Sequence, residues 1–268
     1  MIYFAENTWL PSHDNPFTPG GGYGRQWSAF IYDDSISGSY TNACLGAKVY
    51  TLAVKHRCDR DFEKLTDFVE YEASYGRNII LKVPADAKSY IIKRLEDSTK
   101  SEGLIIRPSD AQWVVHSTTR QLWKEINETG ALLSPSYLKN TGKVIPEIGI
   151  KSLMEPADYS DYIMLDILDG CGEIVVNSRQ LGYICLDPDI HYIPGVRLYF
   201  DAHSIISDGM CTRDGLHVLK VFERLPLDKY MILAVDDTML PQQLWTPTTY
   251  TEAANEYFLD YVKFKQQI

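Results

Sequence analysis

Residues 113–130 read WVVHSTTRQLWKEINETG. Three apolar residues run into a His-Ser-Thr-Thr cluster, and a helical pattern ending in Gly130 follows at once. The spacing predicts a strand over 113–116 and a helix over 119–129, with the glycine as its stop. Ser117, Thr118 or Thr119 suits the cap of that helix, because a short side-chain oxygen satisfies an orphan amide of the first turn. The same cluster also suits a ligand grip, since a histidine and three hydroxyls stand where a buried strand hands over to a helix. Both readings stay open on this window alone.

Outward from this stretch, the N-terminal part carries strand patterns at 48–54 (KVYTLAV) and 78–84 (NIILKVP). Both are rich in β-branched residues and closed by turn signals. Between them Phe62, Leu65, Phe68, Val69 and Tyr75 fall at helical spacing, with Gly76 as a C-terminal stop. Residues 87–97 read as a second helix. Residues 11–24 have loop composition; their glycine run beside Arg25 lacks the Walker spacing that would make it a phosphate cradle. Polar residues and Pro108 place a boundary near 105–112. Beyond it, strands are expected at 162–167, 173–177, 183–187, 196–202, 217–222 and 230–236, with helical spacing over 250–268, where the aromatics leave a strand open as well. Many short strands with few helices predict an α+β fold on a mixed or antiparallel sheet. The expected domains are an N-terminal α+β lobe over 1–105 and a second domain over 106–268.

Bulk properties narrow the function. The 268 residues carry a formal charge of −10, whereas proteins that grip nucleic acid without sequence preference carry basic excess. No apolar run is long enough for a membrane span. The first residues, MIYFAENTWLPSHDNPF, lack the basic start and apolar core of a signal peptide. Five scattered cysteines, Cys44, Cys58, Cys171, Cys185 and Cys211, form no zinc or disulfide pattern, so a reduced cytoplasmic protein is expected. His191, His203 and His217 lie on separate predicted elements, and no metal site is expected.

A second constellation lies at 194–232. Val196, Leu198 and Phe200 alternate along a strand, a short apolar turn follows, and two Asp-Gly turns bracket Arg213. The strand at 217–222 then ends at Glu223. By themselves Arg213 and Glu223 read as surface charges beside turns.

Taken together the two stretches resemble the RNA 2′-phosphotransferase family, within the wider ADP-ribosyltransferase-like, NAD-binding group. The family's Asp-Ala, apolar helix, Asp-Gly, arginine, Asn-Gly, apolar strand, acid and Val-Pro-Pro are matched by Asp201-Ala202, Ile205-Ile206, Asp208-Gly209, Arg213, Asp214-Gly215, Glu223 and Leu225-Pro226-Leu227. Upstream, His116-Ser117-Thr118 matches the family's His-Gly-Thr, and Gly130-Ala131-Leu132 its Gly-Leu step. The resemblance covers about residues 107–232. It implies a C-terminal split, mixed or antiparallel sheet of ADP-ribosyltransferase type around a nicotinamide pocket.

The resemblance further implies a transferase that takes NAD as substrate, releases nicotinamide and passes ADP-ribose to an acceptor, an RNA 2′-phosphate being one such acceptor. His116 would grip a ribose hydroxyl, and Ser117 would hold the carboxamide through its backbone, with Thr118 completing the motif. Tyr199 or Phe200 would stack on the ring. Arg213 would bind a phosphate bidentately, and Glu223 would orient a ribose hydroxyl or stabilise developing positive charge. Two departures stand out. A serine replaces the motif's glycine where backbone must approach ligand closely, and nothing in 1–105 matches the family's Leu-Arg-His motif. The alternative is a non-enzymatic binding or interaction protein that keeps this fold.

Overall fold

The computed structural model describes residues 1–36, 39–41, 46–55, 59–97, 105–143 and 156–267. Cys44, Arg57 and Cys58, part of the expected linker, and the sequence from Val144 to Glu155 lie outside them. The chain divides into two units. One comprises Met1–Gly103, Lys151–Tyr159 and Thr212–His217; the other comprises Leu104–Ile150, Ser160–Cys211 and Val218–Ile268. Two short returns of the later chain thus belong to the first unit.

The first unit holds β1 (Ile2–Phe4), β2 (Trp27–Tyr32), β3 (Ser39–Thr41), β4 (Tyr50–Val54), α1 (Asp59–Ser74), β5 (Asn78–Lys82) and α2 (Lys88–Asp97). Its five-stranded sheet has the order β1-β5-β2-β4-β3. Neighbours run parallel except β3, which is antiparallel to β4. Parallel strands covered on both faces read as continuous apolar runs, and Ala29, Phe30, Leu52, Ala53, Ile79, Ile80 and Leu81 have no accessible surface. The helix α1 buries Phe62, Leu65, Phe68 and Val69, and Phe68 meets Phe30 at a ring separation of 5.7 Å. Tyr75 falls beyond the helix and is 40% exposed, because the chain turns at Gly76 with φ +70°. The returning segments close a polar corner. Arg77 pairs with Glu72 at 3.3 Å and with Asp158, and the Tyr71 hydroxyl also donates to Asp158. The Tyr50 and Tyr159 hydroxyls lie 2.9 Å apart.

The second unit holds β6 (Trp113–Thr118), α3 (Arg120–Thr129), β7 (Ala131–Leu133), α4 (Pro135–Asn140), β8 (Tyr162–Leu165), α5 (Gly172–Leu181), β9 (Val196–Asp201) and α6 (Ala202–Ser207). After β10 (Cys211–Thr212), where the chain leaves this unit, come β11 (Leu219–Phe222), β12 (Arg224–Pro226), α7 (Leu227–Tyr230), β13 (Met231–Asp236) and α8 (Pro247–Gln266). One sheet has the antiparallel order β13-β9-β6, β8 pairs antiparallel with β11, and β7 pairs antiparallel with β12. A single antiparallel bridge, Val115 to Asp166, links β6 to the residue following β8.

β9 is the central strand and is covered on both faces. Val196, Leu198 and Phe200 join one apolar cluster with Val114, Ile205 and Leu225. Tyr199 joins the other, with Val115, Val235, Tyr250 and Phe258. Two expected strands are absent. Residues 173–177 lie in the helix α5, where Glu173, Val176 and Asn177 turn inward at helical spacing and Gly182 ends the helix at φ +75°. The β-branched run favoured a strand locally, but the burial of that one helical face overrides propensity. Residues 183–187 form no strand, and Tyr183, Ile184 and Leu186 are exposed. The molecule is thus mixed α+β with several small sheets, some parallel and some antiparallel. No described helix is long and apolar enough to cross a membrane.

Candidate functional site

The opening stretch folds as a strand and a capped helix. Thr119 is the cap: its side chain accepts from the Leu122 amide at 3.3 Å, and Gly130 closes α3 at φ +66°. That assigns the capping role to one residue and leaves His116, Ser117 and Thr118 as the last residues of β6. Thr118 is buried, and its carbonyl sits where any side chain at position 195 would fall, so Gly195 is required there.

The ladder sets where the other two point. In an antiparallel strand, the N–H and C=O of successive residues alternate between the two edges. Val115 exchanges both of its bonds with Asp166, at 2.8 and 3.0 Å, so its backbone faces away from β9. Ser117, two residues on, faces the same way. The pairing between β6 and β8 stops after that one bridge, and among the described residues Ser117 makes no backbone bond across the gap. The Met164 carbonyl is approached instead by His116 Nδ1, at 3.4 Å. The His116 ring is half-buried, and burial holds its pKa below the ordinary histidine value, opposed by the Met164 carbonyl. With Nδ1 as the donor to Met164, the neutral ring keeps Nε2 as an acceptor.

The serine side chain is turned into the protein. Arg197 Nη1 donates to Ser117 Oγ at 3.0 Å. Arg197 itself has no accessible surface; its Nε donates to Asn255 Oδ1 at 3.2 Å and its Nη2 to the Leu168 carbonyl. Glu173, equally sealed, places Oε1 3.7 Å from Arg197 Nη1 and accepts from the Tyr192 hydroxyl at 2.7 Å through Oε2. Burial pushes the Glu173 carboxyl above the usual range, opposed by the nearby Ser117 hydroxyl, Arg197 and Tyr192. Its Oε1 has no donor in hydrogen-bond geometry. Gly172 closes over this corner, since a Cβ there would lie 2.7 Å from Ser117 Oγ.

Tyr199 lies inside the second unit. It faces the same side of β9 as Arg197, stacks on Phe258 at 4.1 Å with an interplanar angle of 8°, and donates its hydroxyl to Asn255 Oδ1 at 3.0 Å. Neither Tyr199 nor Phe200 has accessible surface. Phe258 occupies one face of the Tyr199 ring. Glu223 is exposed, and it is the one non-glycine residue among those described with a positive φ, +53°. Its amide donates to the Asp161 carbonyl at 2.9 Å and its carbonyl accepts from Ser134 at 2.8 Å. Arg213 lies in the Thr212–His217 return, which belongs to the first unit. Within that return Asp214 accepts from the amides of Leu216 and His217 and pairs with His217 Nδ1 at 2.8 Å.

His116, Ser117 and Thr118 therefore share one strand end. The residues missed in the sequence are those beneath it: Arg197, Glu173, Tyr192 and Asn255. A signal for Arg197 was available. Arg197 shares a strand face with Tyr199, and a charge that is buried requires partners. Compared with family models, curated proteins and solved structures, the chain matches none of them.

Proposed function

We propose that the second unit binds NAD at the end of β6 and transfers its ADP-ribose to an acceptor, with an RNA 2′-phosphate as one candidate acceptor. The observation that carries this reading is the orientation of Ser117. Its side chain turns inward to Arg197, while its N–H and C=O face the gap between β6 and β8. A donor and an acceptor side by side complement a primary carboxamide, which needs one of each. The serine side chain thus turns away from that edge, which supports a backbone contact to the carboxamide there. His116 Nε2 would accept from a ribose hydroxyl. In the transfer, the bond from the ribose anomeric carbon to the nicotinamide nitrogen breaks, nicotinamide leaves, and an acceptor oxygen takes its place. Glu223 would orient a ribose hydroxyl or stabilise the positive charge that develops. Arg213 belongs to the first unit and is no part of this proposed site.

The second reading, a binding protein that keeps the fold without the reaction, is favoured by one observation: β9 offers no accessible ring to cover the nicotinamide. Calorimetry decides the first step. Saturable NAD binding by the whole chain, weakened about two- to tenfold by His116→Ala, is expected if one charge-neutral hydrogen bond is lost. No heat at millimolar NAD would remove the transferase reading. Binding with no release of nicotinamide in the presence of 2′-phosphorylated RNA or protein acceptors would favour the binding protein.

A further inference from the structure

Arg197 is fully buried on the strand next to β6, and its guanidinium engages Ser117 Oγ, the Leu168 carbonyl and Asn255 Oδ1, with Glu173 beside it. A buried arginine costs a large desolvation penalty and contributes little to stability that a well-packed apolar side chain would not. Its fixed planar fork, however, sets the direction of whatever it touches. Here it touches Ser117, whose own backbone faces away from β9 past the β6–β8 bridge. Ser117 lies beyond the last β6–β8 bridge, so the ladder to β8 no longer fixes its edge, and the Arg197 contact supplies a restraint there. Gly172 leaves the space in which that contact is made.

We propose that Arg197 is a positioning residue that acts through the Ser117 hydroxyl to hold the Ser117 N–H and C=O in register for a planar carboxamide. The inference rests on the NAD reading and extends it: the Arg197–Ser117 pair selects ligands that carry the nicotinamide group over those that lack it. Arg197 does not touch the ligand. Asn255 and Leu168 fix the far side of its fork, and Glu173, which accepts from the Tyr192 hydroxyl, stands beside it.

The test compares NAD with ADP-ribose, which keeps both phosphates and both riboses but has no carboxamide. Dissociation constants for both are measured on the whole chain and on Ser117→Ala, Ser117→Thr, Arg197→Lys and the double variant Ser117→Ala/Arg197→Lys. Ser117→Ala and Arg197→Lys should each lower the preference for NAD relative to ADP-ribose by about tenfold, the scale of one hydrogen bond to a charged group, with ADP-ribose affinity changed less than about twofold. Ser117→Thr keeps the hydroxyl and should keep the preference, and the double variant should lose no more than either single one. Equal weakening of both ligands would reduce Arg197 to a structural role and overturn the proposal, as would an unchanged ratio in Ser117→Ala, which needs no large repacking. If the unaltered chain binds ADP-ribose and NAD normally while the variants keep their ratio, only this inference fails. If it binds neither, the NAD reading fails and takes this inference with it.

Discussion

Glu223 adopts φ +53°, a conformation that costs a side-chain-bearing residue about 1–2 kcal/mol relative to the right-handed region. Glycine adopts it without that cost, at the expense of greater freedom in the unfolded chain. The backbone is held there by hydrogen bonds from both sides, to Asp161 and from Ser134, so the strain is imposed by the corner and not chosen by the side chain. Glu223→Gly should therefore raise stability slightly, by about 0.5 kcal/mol after the entropy of glycine is subtracted, measured as a higher urea midpoint. If the carboxylate stabilises charge in the transfer, the same variant should stop nicotinamide release. A more stable and fully active variant would leave Glu223 as a surface residue at a tight corner. The value of the pairing is that stability and activity are expected to move in opposite directions, which simple damage to the fold does not produce.

At the level of elements, α3 rests on its ends. None of its residues is fully buried, although Trp123 and Ile126 pack partly against the core, so the Thr119 cap and the Gly130 stop contribute a large share of its definition. Thr119→Ala removes the acceptor for the Leu122 amide and should cost about 1 kcal/mol, read from urea unfolding, without altering the NAD to ADP-ribose ratio. A change in that ratio would extend the ligand site one residue beyond Thr118. This helix was legible in the sequence because its signals are local: a cap, an apolar spacing and a glycine. The strands at 48–54, 78–84, 113–116, 196–202 and 230–236 were legible for the same reason, to within a few residues at their ends. Residues 173–177 were not. Ile174, Val175 and Val176 carry strand propensity, and only Glu173 and Asn177 turning inward with Val176 reveals a helix, a pattern that polar residues hide. Of the site, His116-Ser117-Thr118 could be read as a cluster, but Arg197 and Glu173 are joined to it only by tertiary pairing. The inward face of Tyr199 likewise depends on Phe258, nearly sixty residues later, which no local spacing announces.

Across the whole molecule, the chain completes its first unit only after two returns, and those returns bring acid to a place already holding acid. Glu72 is sealed on α1 with Arg77 at 3.3 Å, Ser28 nearby, and Asp158 and Asp214 supplied by the returning segments. Burial raises the Glu72 carboxyl above its ordinary value; Arg77 and Ser28 oppose that shift, and the two aspartates add to it. Neither Glu72 oxygen has a hydrogen-bond donor in good geometry. The consequence for stability follows from proton counting. Above pH 4.5, the ordinary value for the side chain, the unfolded chain has released this proton while the folded chain still holds it. The folded state then binds more protons than the unfolded one, so stability falls as the pH rises, until the folded carboxyl has itself ionised. Glu72→Gln removes the titration and leaves Arg77 its partner Asp158. In urea unfolding from pH 4.5 towards neutrality, the unaltered chain should lose stability relative to Glu72→Gln, whatever the sign of the difference at the acid end. A difference that instead grows in favour of the glutamate as the pH rises would mean that Arg77 outweighs burial and both aspartates, and that the corner closed by the two returns is held by a true ion pair.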